Sequence, residues 1–124
     1  MIEPKPIALV IDDEVQIRRL LRLSLEGNGY RVFDAETAQD GIREAASRKP
    51  DVIILDLGLP DLDGLEVIRG LREWSATPIV ILSVRESQEE KISALDAGAD
   101  DYVTKPFHTE ELLARLRVAQ RHAQ

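Results

Sequence analysis

The stretch Asp51-Val-Ile-Ile-Leu-Asp56 is an apolar run that ends abruptly in a carboxylate, with Gly58 and Pro60 close behind it. Its length and its polar boundaries predict a short strand over residues 52–55 that is buried on both faces. Asp56 then lies at the carboxyl end of that strand, and in open α/β sheets ligands bind in the crevice outside those ends. A lone Asp after a strand is more often a turn former, so the neighbouring segments decide whether Asp56 is a chemical group.

Apolar runs and amphipathic segments alternate five times along the chain. Strands are predicted at residues 6–11, 30–35, 52–55, 78–83 and 101–105, and helices at 17–25, 37–48, 64–74, 89–97 and from 109 onward. This alternation predicts a doubly wound α/β fold with five parallel strands and five helices. The strand order 2-1-3-4-5, the flavodoxin-like arrangement, would place the carboxyl ends of the first, third and fifth strands around one crevice.

The composition predicts one globular domain over residues 1–124, with 44% hydrophobic and 31% charged residues. A formal net charge of -7 argues against direct binding of this stretch to nucleic acid, whose phosphates require a basic face. Cysteine is absent, which removes thiol and disulfide chemistry and favours an intracellular setting. No apolar run approaches the roughly 18 residues of a membrane span, so we expect a cytoplasmic protein without membrane contact.

Polar side chains with complementary chemistry follow four of the predicted strands. Asp12 and Asp13 follow the first strand, Asp56 ends the third, Ser83 ends the fourth and Lys105 ends the fifth. Three clustered carboxylates repel one another unless a cation neutralises them, and all-oxygen ligands favour Mg2+. A carboxylate nucleophile, a metal, a lysine and a hydroxyl together predict phosphoryl transfer to Asp56.

Each of these residues has an ordinary interpretation when it is considered alone. An Asp after a strand is usually a turn former or a helix cap, Ser83 would be a loop hydroxyl, and a lone Lys is usually solvated. Five unrelated loop residues have no reason to meet at the same end of successive strands in complementary types. Their joint occurrence therefore favours a site for phosphate and metal.

At these residues the chain resembles the receiver domains of two-component response regulators, which have the CheY-like form of this fold. The resemblance rests on the acid pair Asp12-Asp13, the strand ending at Asp56, Ser83 and the triplet Lys105-Pro106-Phe107, and it covers essentially the whole chain. The run from Asp96 to Phe107 is similar to the OmpR/PhoB subfamily of transcriptional regulators. Residues 48–60 and 71–76 resemble members of that subfamily that control potassium-transport operons.

The resemblance implies that a cognate sensor histidine kinase transfers a phosphoryl group to Asp56. Asp12, Asp13 and Asp56 would hold Mg2+ together with the backbone carbonyl of Gly58. Ser83 would then turn toward the phosphoryl group, and Tyr102 would swing inward into the space that it leaves. The Lys105–Pro106 peptide bond is expected to be cis, as in family members.

The resemblance also implies a symmetric homodimer after phosphorylation, formed by the fourth helix, the fifth strand and the last helix. The pairs across it would be Lys91 with Glu111, Asp96 with Arg117, and Asp101 with Arg115. Small apolar patches between these charges complete the expected interface, namely Ile92, Leu95 and Ala114. Considered alone, such mixed charges are more often a solvated face.

Two other functions compete with a phosphorylation-controlled switch whose catalysis is limited to its own modification. A metal-dependent phosphohydrolase with an Asp nucleophile would need a second carboxylate two residues beyond it, and Gly58 stands there. A stand-alone receiver that serves only as an interaction module is the other alternative. DNA binding is expected only through a C-terminal effector domain that the 124 residues do not include.

Overall fold

The protein, described by a computed structural model over residues 4–123, has one five-stranded parallel sheet in the order β2-β1-β3-β4-β5. The first three residues and Gln124 of the expected domain lie outside the described residues. The elements in chain order are β1 Ile7–Ile11, α1 Val15–Glu26, β2 Arg31–Ala35, α2 Ala38–Arg48, β3 Val52–Asp56, α3 Gly64–Arg72, β4 Ile79–Ser83, α4 Gln88–Ala97, β5 Asp101–Thr104 and α5 Thr109–His122. The predicted fold class and strand order are confirmed.

The three central strands explain why the sheet is covered on both faces. Successive residues of β1, β3 and β4 point to opposite sides, and all but Ile7 are buried. One side packs against α2, α3 and α4 through Leu9, Ile11, Ile53, Leu55, Ile79 and Ile81. The other packs against α1 and α5 through Ala8, Val10, Val52, Ile54, Val80 and Leu82. An apolar run without polar interruptions is the pattern that a strand between two helical layers requires.

A glycine allows the segment that follows Asp56 to lie close to α3. The side chain of Asp63 accepts a hydrogen bond from the Leu65 N–H and caps α3, and Gly64 is the first residue of that helix. A Cβ built at Gly64 would lie 2.4 Å from Leu57 Cδ2 and 2.9 Å from Leu57 Cα. Only a residue without a side chain allows the helix to approach the strand end this closely.

Asp61 connects the same loop to α2. Its carboxylate accepts hydrogen bonds from the backbone N–H groups of Ala38, at 2.9 Å, and Gln39, at 3.0 Å. These bonds to the start of α2 lower the pKa of Asp61. The loop after β3 is therefore fixed on both sides, by α2 and by α3.

The predicted boundaries differ from the structure by one or two residues. The third helix ends at Arg72 rather than at residue 74, the fourth begins at Gln88, and the fifth strand ends at Thr104. Lys105 thus lies just beyond its strand, and its bond to Pro106 is cis as expected. Among the described residues, no helix is long and apolar enough to cross a membrane.

Candidate functional site

Three carboxylates meet at the carboxyl edge of the sheet. Asp12 and Asp13 come from the end of β1 and Asp56 from the end of the adjacent β3, and one oxygen of each lies within 4.8 Å of the other two. Asp12 and Asp56 are buried, whereas Asp13 is exposed. Hard divalent cations prefer such oxygen ligands, and the exposed side leaves room for water or phosphate oxygens. The residues present therefore fit the Mg2+ ion expected from the sequence.

Asp56 is the acid in the least favourable position for a negative charge. Burial raises its pKa, and the neighbouring charges of Asp12 and Asp13 act in the same direction. The Gly58 N–H, which donates to Asp56 Oδ1 at 3.0 Å, and the charge of Lys105 oppose that rise without cancelling it. A bound cation would relieve the repulsion, so the charges of the cluster favour cation binding.

Lys105 reaches into this cluster from the segment after β5, and its side chain is only 7% exposed. Its ammonium donates to Asp12 Oδ2 at 3.0 Å and to Glu14 Oε1 at 3.2 Å. The nearest oxygen of Asp56 is 3.8 Å away, an ion-pair distance without a hydrogen bond. Asp12 and Glu14 are therefore closer partners of Lys105 than Asp56 is.

The pKa of Lys105 reflects two opposing influences, burial and the acidic neighbours. Burial alone would lower it, but the hydrogen bond and the charge of Asp12, followed by the effects of Asp56 and Glu14, outweigh burial and raise the pKa. Lys105 therefore supplies a positive charge beside Asp56 that is available to a phosphoryl oxygen.

Ser83 and Tyr102 are linked through the backbone of one residue. Ser83 Oγ accepts a hydrogen bond from the Arg85 N–H at 3.1 Å, and the Tyr102 hydroxyl donates to the Arg85 carbonyl at 2.9 Å. Both side chains are buried. Tyr102 thus occupies an inward position, and an outward position followed by a swing remains a prediction.

The Arg85 side chain turns toward α4, where its guanidinium lies 3.6 Å from Glu90 Oε1. The other carboxylate oxygen of Glu90 is buried and accepts no hydrogen bond from the described residues. The loop between β4 and α4 is thereby connected to Ser83, to Tyr102 and to the first turn of α4.

On the face expected to form a dimer, Arg115 forms ion pairs within its own chain. Arg115 binds Asp101 of its own chain, with Nη1 at 3.0 and 3.2 Å from the two carboxylate oxygens, and it also binds Glu111 at 3.0 Å. The pairing of Asp101 with Arg115 is therefore satisfied within one chain, because α5 lies directly beside β5 and brings the two side chains together.

Two apolar side chains of that face are exposed. Ile92 is 50% exposed and Leu95 is 41% exposed. Within residues 4–123, no oppositely charged side chain lies within 4.0 Å of the charged groups on Lys91, Asp96 and Arg117. Lys91 instead places its ammonium 5.8 Å from the centre of the Tyr102 ring.

Sequence reasoning assigned no role to Glu14, although the structure places it in the site. An exposed acid after an acid pair usually marks the start of a helix, and Glu14 does occupy the position before α1. Its side chain makes no capping bond and contacts Lys105 instead, across 91 positions of sequence. No sequence pattern around Glu14 predicts that contact.

Comparisons with known proteins agree with this geometry. A family model described as response regulator receiver domain matches residues 8–117. The KDP operon transcriptional regulatory protein KdpE of Escherichia coli is 65% identical over 113 residues, which are 91% of this chain and 50% of that protein. The transcriptional regulatory protein KdpE of Mycobacterium tuberculosis is 56% identical over 115 residues, 93% of this chain and 51% of that protein. The chain spans about half the length of these curated relatives.

Solved structures show the same architecture. The receiver domain of the Francisella response regulator 1452 superposes with a TM-score of 0.89 at 34% identity, covering 96% of this chain and 99% of that one. The BeF3-activated N-terminal receiver domain of Klebsiella pneumoniae RstA gives a TM-score of 0.88 at 31% identity, with coverage of 93% and 98%.

Proposed function

The chain belongs to the response regulator receiver domain family, and on that premise we propose that Asp56 accepts a phosphoryl group from the phosphohistidine of a sensor histidine kinase. The observation that carries the proposal is the position of Asp56. It is a buried carboxylate with a raised pKa, beside two further acids and a buried lysine. That set supplies a nucleophile and the charges that a transferred phosphoryl group requires.

The reaction is a direct displacement at phosphorus. A carboxylate oxygen of Asp56 forms the new O–P bond while the N–P bond to the kinase imidazole breaks, and the electron pair of that bond remains on the imidazole nitrogen. Lys105 neutralises part of the charge on the transferred oxygens. The hydroxyl of Ser83 donates a hydrogen bond to one of them, while its oxygen can keep the bond from the Arg85 N–H.

Mg2+ belongs to this proposal as a cofactor. Asp12, Asp13 and Asp56 would hold it together with the backbone carbonyl of Gly58, and the close approach of the three carboxylates supports that assignment. When bound, the ion supplies positive charge that lowers the repulsion between the carboxylates and the phosphoryl oxygens.

The output of the switch is proposed to be a homodimer that controls transcription. Arg85 links Ser83 and Tyr102 to α4, so a change at Ser83 is transmitted to the face that carries Lys91, Ile92 and Leu95. A two-fold interface fits a face that offers both charge signs and exposed apolar side chains.

We propose that the whole protein acts on DNA through an additional domain. The relatives of which this chain spans about half are named transcriptional regulatory proteins, which supports a role in transcription. We propose a potassium-transport operon as the target and a cytoplasmic location for the protein. The 124 residues themselves carry a net charge of -7, which is consistent with DNA contact through another part of the molecule.

Incubation with acetyl phosphate and Mg2+, followed by intact-mass measurement, tests the proposal. The expected result is a gain of one phosphoryl group per chain that is lost in Asp56→Asn and on chelation of the metal. Asp40→Asn, which removes an exposed acid of α2, is the matched control and should be modified like the wild type. Steady release of phosphate without a lasting adduct would indicate a phosphohydrolase, and no adduct at all would indicate an unphosphorylated interaction module.

A further inference from the structure

The ammonium group of Lys105 lies closer to two acids that follow β1 than to Asp56. Its two hydrogen bonds go to Asp12 Oδ2, at 3.0 Å, and to Glu14 Oε1, at 3.2 Å. The closest Asp56 oxygen is at 3.8 Å, beyond hydrogen-bonding distance. The position of this charge therefore depends on two acids, only one of which belongs to the carboxylate cluster.

We propose that Glu14 is a positioning residue that holds the Lys105 ammonium back from Asp56 and thereby sets the affinity of Asp56 for a phosphoryl group. The proposal rests on the function proposed above, since it concerns the phosphorylated state of the same site. Glu14 touches neither Asp56 nor the phosphoryl group, and it acts only through Lys105.

Among the described residues, Lys105 is the one polar side-chain partner of the Glu14 carboxylate. Glu14 precedes α1, but its carboxylate caps no backbone N–H of that helix. Its oxygens also lie outside the group formed by Asp12, Asp13 and Asp56, so it is not placed to share their metal. Substitution of Glu14 should therefore leave the fold and the metal ligands intact.

The geometry determines the direction of the effect. Lys105 has three N–H donors, and Asp12 and Glu14 each accept from one of them. The carboxylate of Glu14 therefore draws the ammonium, and part of its positive charge, away from a doubly charged phosphoryl group on Asp56. A neutral amide at position 14 still offers an oxygen to Lys105, but it carries no charge, so its attraction for the ammonium is weaker.

The size of the effect is limited by exposure. The Glu14 side chain is 57% exposed, whereas that of Lys105 is only 7% exposed. Exposed ion pairs contribute little because water and salt screen them, and their typical strength corresponds to a change of about two- to fivefold in an equilibrium constant. The same screening makes the effect dependent on ionic strength.

Beryllofluoride, a non-covalent mimic of the phosphoryl group, provides the test, with amide NMR of the protein at saturating Mg2+ as the readout. Glu14→Gln is expected to lower the half-saturating concentration about two- to fivefold at low salt, and the gain should shrink when potassium chloride is added. A merely structural role of Glu14 would not produce that salt dependence.

Glu26→Gln is the matched control. Glu26 lies at the other end of α1, is 51% exposed and forms an ion pair of the same kind, with Arg22 at 3.6 Å. The Glu26→Gln variant should bind beryllofluoride with the same half-saturating concentration as the wild type. If Glu26→Gln tightened binding equally, the effect would be one of net charge and the positioning role would be wrong.

Two further outcomes separate this inference from the proposed function. If the wild type binds beryllofluoride and Glu14→Gln binds it equally or more weakly, only the role of Glu14 is overturned. If the wild type neither binds beryllofluoride nor gains a phosphoryl group from acetyl phosphate, the proposed function fails, and the role of Glu14 fails with it.

Discussion

At the scale of single residues, the site is defined by an acid that the fold keeps in an unfavourable environment. Asp56 is 6% exposed, and its pKa is raised mainly by burial and further by Asp12 and Asp13. The folded state therefore binds a proton at Asp56 more readily than the unfolded state does. Stability consequently falls as pH rises from the unfolded pKa of 3.8 through the higher folded value, and the loss persists at neutral pH.

Asp56→Asn is predicted to be more stable than the wild type at neutral pH without Mg2+. The amide carries no charge, and its oxygen can still accept the hydrogen bond from the Gly58 N–H. The difference should shrink as pH falls toward 3.8, where the wild-type carboxylate becomes protonated. Urea unfolding across this pH range measures it. Saturating Mg2+ should favour the wild type, since only the intact cluster gains the full stabilisation from binding. A variant less stable than the wild type in metal-free buffer at neutral pH would contradict the prediction.

At the scale of the elements, the loop after β3 is held by tight contacts to two helices. Asp61 binds the start of α2, and Gly64 allows α3 to approach Leu57. These contacts place the backbone of Gly58 beside Asp56, where its N–H donates to the carboxylate. The position of the Gly58 backbone beside Asp56 therefore depends on contacts of Asp61 and Gly64, which lie several residues farther along the chain.

Gly64→Ala is predicted to lower the free energy of unfolding by about 1–3 kcal/mol, the usual cost of overpacking. The new methyl group would lie 2.9 Å from Leu57 Cα, and backbone cannot move aside as a flexible side chain can. Gly70→Ala in the same helix is the control, because nothing lies within 4 Å of its Cβ position. It should stabilise the protein by up to about 1 kcal/mol through helix propensity. Equal effects of the two substitutions in urea unfolding would show that close approach at Gly64 is unimportant.

At the scale of the whole molecule, the proposed function requires a signal at Asp56 to reach the face formed by α4, β5 and α5. On this path, the Arg85 N–H donates a hydrogen bond to Ser83 Oγ, and the Tyr102 hydroxyl donates one to the Arg85 carbonyl. Asp101 and Arg115 bind each other within the chain, whereas Asp96 and Arg117 have no such partner among the described residues. The last two are therefore the better probes of a proposed partner subunit.

Charge reversal at these two positions tests the proposed dimer. Asp96→Arg or Arg117→Asp alone should weaken the beryllofluoride-induced dimer about tenfold, because like charges would then face each other at two symmetric positions. The double variant should recover most of the loss, since opposite charges again meet across the interface. Sedimentation velocity measures the dimer fraction. Single variants that dimerise like the wild type would argue against this pairing.

The sequence by itself determined the architecture and most members of the site. Short apolar runs bounded by polar residues and glycine, such as residues 52–55, favour strands covered on both faces, and parallel strands carry their carboxyl ends to one edge. That rule predicts that Asp12, Asp13, Asp56, Ser83 and Lys105 lie at one edge of the sheet, and the structure places them there.

Only the tertiary structure decided which partners these side chains take. Lys105 has a long side chain that can reach several acids, and differences of less than 1 Å place it with Asp12 and Glu14 rather than Asp56. Arg115 likewise binds within its own chain because α5 packs beside β5. Strand and helix periodicity describe which face a residue occupies, but not distances between side chains that are far apart in sequence. The roles of such flexible charged groups are therefore set by packing.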